Sequence, residues 1–202
     1  MDQVDRGSEQ QPSFVSITGD EREKVYATLV SSFAQDPVER WLYPSLRSYH
    51  QHFPRFLDAF GGLAFEAGTV WGLSDLAAVA LWLPPGAEPN GDAIARVLTD
   101  SVAADKHSDT FAVVGQMVES HPTYPHWYLP WLGVEPGSHG KGLGTRLLSA
   151  CLNLIDASHL PAYLETPNPR TLPFYERHGF EAAGTARAGA CPPISFMLRP
   201  AQ

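Results

Sequence analysis

The alternation of Phe14-Val15-Ser16-Ile17-Thr18 predicts a first strand, and the acidic run Asp20-Glu21-Arg22-Glu23 then opens an amphipathic helix through Val25, Leu29 and Phe33. Asp36-Pro37 stops that helix. A second helical stretch carries Trp41, Tyr49, Phe53, Phe56, Leu57 and Phe60 and ends at Gly61-Gly62. Residues 68–73 and 77–83, parted by Ser74-Asp75, read as a hairpin that Pro84-Pro85-Gly86 breaks. Helical segments fill about 91–119. Then come a strand over 126–134, a helix over 143–157, a strand over 161–166, a short helix over 171–178, and strands near 180–186 and 194–198. Strands and helices mixed in this way predict a single α/β (α+β) domain around a mixed sheet. The polar first dozen residues read as a flexible tail, with the domain covering 13–202.

At 202 residues and 44% hydrophobic content, the chain is long enough for one sizeable core and short for two. The start, Met1-Asp2-Gln3-Val4-Asp5, has neither a basic nor an apolar leader region, and no apolar run approaches a membrane span. A soluble cytoplasmic protein is expected, monomeric or homodimeric. Cys151 and Cys191 are too few and too far apart for a zinc cluster or a disulfide framework. Among eight histidines only His50 and His52 are close, and no carboxylate or Cys pattern joins them, so no metal is expected. A formal charge of −8 repels polyanions on average, which argues against nucleic acid and mildly favours a cationic partner. A polyanionic cofactor would need a local anion site.

Gly140, Gly142 and Gly144 supply a candidate for one. They lie between an apolar strand and a helix with apolar positions Leu143, Leu147, Cys151 and Ile155. Glycines let backbone approach a ligand, and the unpaired N–H groups of a helix's first turn attract phosphate. Lys141 and Arg146 add positive charge. A P-loop is excluded because Glu stands at position 135, where its first Gly belongs, and the spacing G-x-G-x-G is not that of a dinucleotide fingerprint. A glycine-rich turn without a ligand is the competing reading of this loop taken alone.

Its surroundings separate the two. The run from Trp131 through Gly133, Val134, His139, Gly140, Lys141, Gly142, Leu143 and Gly144 resembles motif A of the GNAT superfamily of N-acetyltransferases, written Q/R-x-x-G-x-G/A, with His139 where Gln or Arg is usual. Tyr163-Leu164-Glu165-Thr166-Pro167-Asn168, followed by Phe174-Tyr175-Glu176, resembles motif B. Residues 68–82 and 126–199 are similar to puromycin N-acetyltransferase and its bacterial relatives. The resemblance implies a largely antiparallel mixed sheet, flanked by helices and splayed after its fourth strand. It also implies acetyl-CoA as co-substrate, with residues 139–145, including Thr145, around the pyrophosphate and Leu132, Gly133 and Val134 along the pantetheine. Pro130 fits a splay, since proline interrupts a hydrogen-bonded ladder, although an edge-strand proline would look the same.

An amine attacking a thioester needs a positioned donor, a dipole for the developing oxyanion and a proton for the leaving sulfur. Tyr175 is expected to be the general acid and a cofactor contact, because neighbouring Phe174 and Tyr175 point about 100° apart on a helix and one can face the cleft. Asn168 resembles the cofactor-contacting Asn of the superfamily; a turn-forming residue between two prolines is the alternative. The base is less defined. Some superfamily members carry a Glu in the strand before motif A, but Tyr128 stands there, leaving Glu165, His126 or a water chain. Asp36, Trp82, His126 and Tyr128 are expected to bind a small-molecule amine, with Asp36 pairing its cation. An acyl-CoA-binding regulatory domain and a protein or peptide N-acetyltransferase remain as alternatives.

Overall fold

The computed structural model describes residues 12–202, so the expected tail lies, apart from Pro12, outside the described residues. The chain order is β1 (Phe14–Ser16), α1 (Arg22–Phe33), α2 (Pro37–Leu42), α3 (Leu46–Gly61), α4 (Leu63–Glu66), β2 (Val70–Leu73) and β3 (Ala78–Leu83). It continues with α5 (Gly91–Ser101), α6 (His107–Ser120), β4 (Trp127–Val134), α7 (Leu143–Ile155), β5 (Ala162–Thr166), α8 (Leu172–Glu176), β6 (Glu181–Ala186) and β7 (Ile194–Arg199).

The helical stretch expected from Trp41 to Phe60 is two helices. Pro44 has no N–H to continue α2, and Ser45 caps α3 by accepting the Ser48 N–H at 3.0 Å. Asp36-Pro37 also does more than stop α1. Asp36 accepts the N–H groups of Val38 and Glu39 and Pro37 occupies the first helical position, so the same pair starts α2.

Seven strands form one mixed sheet in the order β1-β2-β3-β4-β5-β7-β6. Every neighbouring pair is antiparallel except β4 and β5, which α7 connects as a parallel crossover. These two strands pair only at Trp127 with Ala162 and Tyr128 with Tyr163, and then part. The cause is local. Opposite β3, Leu81 pairs with Trp131 but Leu83 with Tyr128, so β4 carries one extra residue there, next to Pro130, which has no N–H to give a neighbour. A bulge bends its strand, and beyond it β4 leans away from β5. The expected splay after the fourth strand is present.

Helices cover both faces. One core layer joins α1, α3 and α5 to the sheet through Leu29, Phe53, Leu57, Leu98, Leu81 and Trp131. The other places α7 and α8 against the opposite face through Leu147, Leu148, Cys151, Leu164 and Met197. Each such leucine contributes about 1.5–3 kcal/mol on burial. Where α1 crosses β4 the approach is so close that a Cβ on Gly133 would stand 2.7 Å from the Ser32 Oγ. Gly133 is thus required for packing as well as for the open strand beside it.

Candidate active site

The parted strands open a cavity of about 940 Å³ that runs from the glycine loop, past the free edge of β4, to a chamber beneath α2 and α6. At the loop end Gly142 caps α7 with a left-handed φ of +75°, and Gly140 has φ +76°. A Cβ at either would meet nothing within 4 Å, so the space beside the loop is open to a ligand. The first bond into α7 runs from the Arg146 N–H to the Gly142 carbonyl at 3.0 Å, leaving the N–H groups of its opening turn directed out of the helix. N–H groups so directed, with the helix dipole behind them, suit an anion.

Along the slot, Leu132, Gly133 and Val134 line the cavity, and β4 has no strand partner on its β5 side beyond Tyr128. Across it stand Asn168 and Tyr175. The Asn168 Oδ1 accepts the Arg170 N–H at 3.1 Å, fixing the turn after β5 and leaving the amide nitrogen for the cavity. Tyr175 is buried and lines the same space. Burial first, then the nearby Asp36 carboxylate, pushes its phenol well above the usual range, so the proton stays on the oxygen at neutral pH.

Glu165, on β5, faces the middle of the cavity with its side chain 7% exposed. Its Oε2 accepts the Tyr128 hydroxyl at 2.5 Å and its Oε1 lies 3.8 Å from the His121 Nδ1. Burial, then Glu165, pushes the Tyr128 phenol up, which keeps it a donor to that carboxylate. Behind His121, the two Nε2 atoms of His121 and His126 are 3.1 Å apart, and the His126 Nδ1 is 2.8 Å from the Tyr124 carbonyl. A carbonyl only accepts, so the His126 Nδ1 carries a proton; burial lowers its pKa, so that ring is neutral and its Nε2 accepts from His121. The His121 Nδ1 is then left facing the Glu165 Oε1 at 3.8 Å, beyond hydrogen-bond distance.

A family model described as acetyltransferase (GNAT) domain matches residues 101–182, which contain β4, the glycine loop, α7, β5 and α8. Over this segment, about two fifths of the chain, the sequence is similar to GNAT acetyltransferases. An uncharacterised N-acetyltransferase of Schizosaccharomyces pombe is 27% identical over 87% of this chain and 78% of its own length. Solved structures share the fold. A Corynebacterium glutamicum protein described as histone acetyltransferase HPA2 and related acetyltransferase has a TM-score of 0.66 at 21% identity, covering 95% of this chain and 97% of its own. The PaiA N-acetyltransferase of Thermoplasma acidophilum, solved with coenzyme A, has a TM-score of 0.55 at 12% identity, covering 93% and 98%. The activity class of the GNAT domain is that of an acetyl-CoA-dependent N-acetyltransferase.

Four expected roles change. Trp82 is 0% exposed and lies against Cys151 on the α7 face of the sheet, so it packs the core and does not reach the amine. Residues alternate across a strand, and position 82 falls on the face away from the α1 side. His126 does not line the cavity; it stands one ring behind it, holding His121. His139 lines the loop, but its Nε2 is 2.9 Å from the Val134 carbonyl and its backbone N–H is bonded to Pro136, so it shapes the loop instead of offering those donors to phosphate. Lys141 is exposed at the loop and is not among the lining residues, whereas Gly140, Gly142, Leu143, Gly144 and Thr145 are. His121, Glu39 and Thr110 escaped the sequence reading. A His five positions before His126 was a faint signal, and an acidic residue between Val38 and Trp41 in α2 another.

Asp36 lines the chamber as well as capping α2. Burial raises its carboxyl to about 6, against the N–H groups of Glu39 and Val38 that lower it. With the folded pKa above the unfolded one, its stabilising contribution is complete below about pH 4 and is lost as pH rises through about 6. Asp36→Asn, which keeps the capping oxygen, is expected to gain about 1–3 kcal/mol relative to the wild type between acid and neutral pH. Urea midpoints at pH 4 and 7.5 read this directly, and parallel curves would place the carboxylate's titration elsewhere.

Proposed function

We propose that this protein acetylates a primary amine of a small molecule, the amine attacking acetyl-CoA directly in a ternary complex. The observation that carries the reading is that the phosphate-binding helix end, the free edge of β4, Tyr175 and Glu165 all line one cavity. Acetyl-CoA supplies the acetyl thioester. The open loop at Gly140 and Gly142 fits its pyrophosphate, and residues 132–134 offer unpaired backbone to its amides and to the thioester oxygen.

In this reading Glu165 takes the proton that the attacking nitrogen loses, directly or through one water. Tyr128 fixes the carboxylate by donating its hydroxyl to Oε2, and His121 stands on the far side of it. Tyr175 donates its hydroxyl proton toward the leaving sulfur. A phenol is the weaker acid by about 1.5 pKa units in reference terms, so the donation stabilises charge as it develops on sulfur. The amine enters the chamber under α2 and α6, with Asp36 as a counter-charge. Among the described residues no helix is long and apolar enough to cross a membrane, and we place the enzyme in the cytoplasm with its donor.

Tyr175→Phe is expected to keep acetyl-CoA affinity and lose about ten- to a thousand-fold in turnover. No described residue accepts its hydroxyl, so stability should change by no more than about 1 kcal/mol. Steady-state kinetics with direct CoA detection, beside a binding titration, measure both. Normal turnover under conditions where chemistry limits the rate would remove Tyr175 from the reaction. The reading as a whole is tested by CoA release against aminonucleosides, as the puromycin-like resemblance suggests, and against aminoglycosides, polyamines and peptides. Acetyl-CoA binding without release by any amine would favour a non-catalytic binding domain.

A further inference from the structure

The chamber end of the cavity contains polar atoms that the reaction does not use. Glu39, in α2, is 4% exposed, its Oε2 is out of contact with solvent, and no described residue donates a hydrogen bond to either carboxylate oxygen. Thr110, in α6, is also 4% exposed, and its hydroxyl is equally unpartnered. Both line the cavity. Buried polar groups without partners are rare in folded proteins, and two from separate helices facing one cavity point to a ligand that completes them.

Charge identifies the ligand. Among the described residues no lysine or arginine lines this end; Arg170, the one basic side chain other than histidine among the described residues of the cavity wall, belongs to the turn beside Asn168. Arg40 donates to the Pro44 carbonyl and Lys106 to the Trp41 carbonyl, so neither neutralises Glu39. Burial first, then the Asp36 carboxylate, pushes the Glu39 carboxyl well above the usual carboxylate range, so a cation beside it is what would favour its charged form. The walls between are hydrocarbon and aromatic: Leu42, Phe56, Leu98 and Val113.

We infer that Glu39 and Thr110 form a subsite for a second cationic nitrogen, so that the acceptor is a diamine whose two nitrogens are joined by an apolar chain. An ammonium carries three donors and no acceptor, enough for the carboxylate and the hydroxyl together. A monoamine of equal length leaves both groups buried and unpaired, and a site built around buried polar groups discriminates strongly against a ligand that lacks their partner.

The inference rests on the proposed amine acetylation, and the test separates the two. The probes are α,ω-diaminoalkanes from diaminopropane to diaminooctane and the n-alkylamines of matching length. The wild type is expected to show a kcat/KM about a hundredfold higher for the best diamine than for its monoamine, and Glu39→Gln to reduce that ratio to about threefold or less. Thr110→Val, nearly isosteric, should reduce it about threefold and serves where Glu39→Gln does not fold. A wild-type ratio near one, or a ratio unchanged in both variants, overturns the subsite. If no amine in any class releases CoA, the proposed reaction has failed and calorimetric titration of the diamines reads the subsite alone. Diamine binding weakened at least about tenfold in Glu39→Gln supports it, and absent or unchanged binding rejects it.

Discussion

Gly142→Asp is expected to abolish acetyl-CoA binding while leaving the fold intact, a separation that few cradle substitutions would achieve. Gly142 has φ +75° and open space where a Cβ would stand. Asp tolerates the left-handed region better than most residues, at a cost of about 1–2 kcal/mol, and as a capping residue it can return part of that by accepting N–H groups of the first turn of α7. The same carboxylate then occupies the anion site with charge of the wrong sign for pyrophosphate. Thermal midpoints should stay near the wild-type value while the acetyl-CoA dissociation constant weakens at least about a hundredfold, equivalent to about 2.8 kcal/mol. Tight binding by the folded variant would sink the cradle assignment.

Glu165→Gln is expected to lower kcat/KM by about 10² to 10⁴, the range for a removed general base, with acetyl-CoA affinity unchanged. Gln keeps the size and an acceptor for Tyr128 but cannot take a proton. His121 acts through Glu165, 3.8 Å away, and is a positioning residue. His121→Gln should therefore lower kcat less than Glu165→Gln does, with acetyl-CoA affinity unchanged in both. A Glu165→Gln enzyme with the full rate would move the base to a water chain.

Much of this site was legible because its physical demands are local. A glycine loop is read from small residues immediately before a helix, and Gly140, Gly142 and Leu143 do stand at the start of α7 on the cavity wall. The break in β4 was legible too, since Pro130 lacks the one group that a ladder needs. The opposite holds for side chains whose roles depend on which face of a sheet they meet. Trp82 and Tyr128 lie on neighbouring strands, yet one fills the layer under α7 and the other reaches the cavity, because the bulge at Pro130 shifts the register between them. His121 was illegible for a related reason: it comes from a loop whose only link to Glu165 is tertiary. Glu39 reads in sequence as an ordinary charge in a short helix, and only tertiary packing removes it from water. Pro44 was overlooked beside the long aromatic pattern of α3, which merged two helices into one.

A sheet that parts in the middle has four edges in place of two. The outer pair are blunted in familiar ways, β1 by its length of three residues and β6 by the bulge between Ala182 and Gly184. The inner edge of β4 cannot be blunted without destroying the binding slot, so in the empty protein it is an adhesive strip of backbone accessible to another extended chain. In the proposed reading the co-substrate would cover it. An extended molecule with amides along its length is a reversible stopper for an unfinished sheet, and the protein's colloidal behaviour should follow the supply of its donor: quick to self-associate when acetyl-CoA is exhausted, and protected whenever the slot is filled.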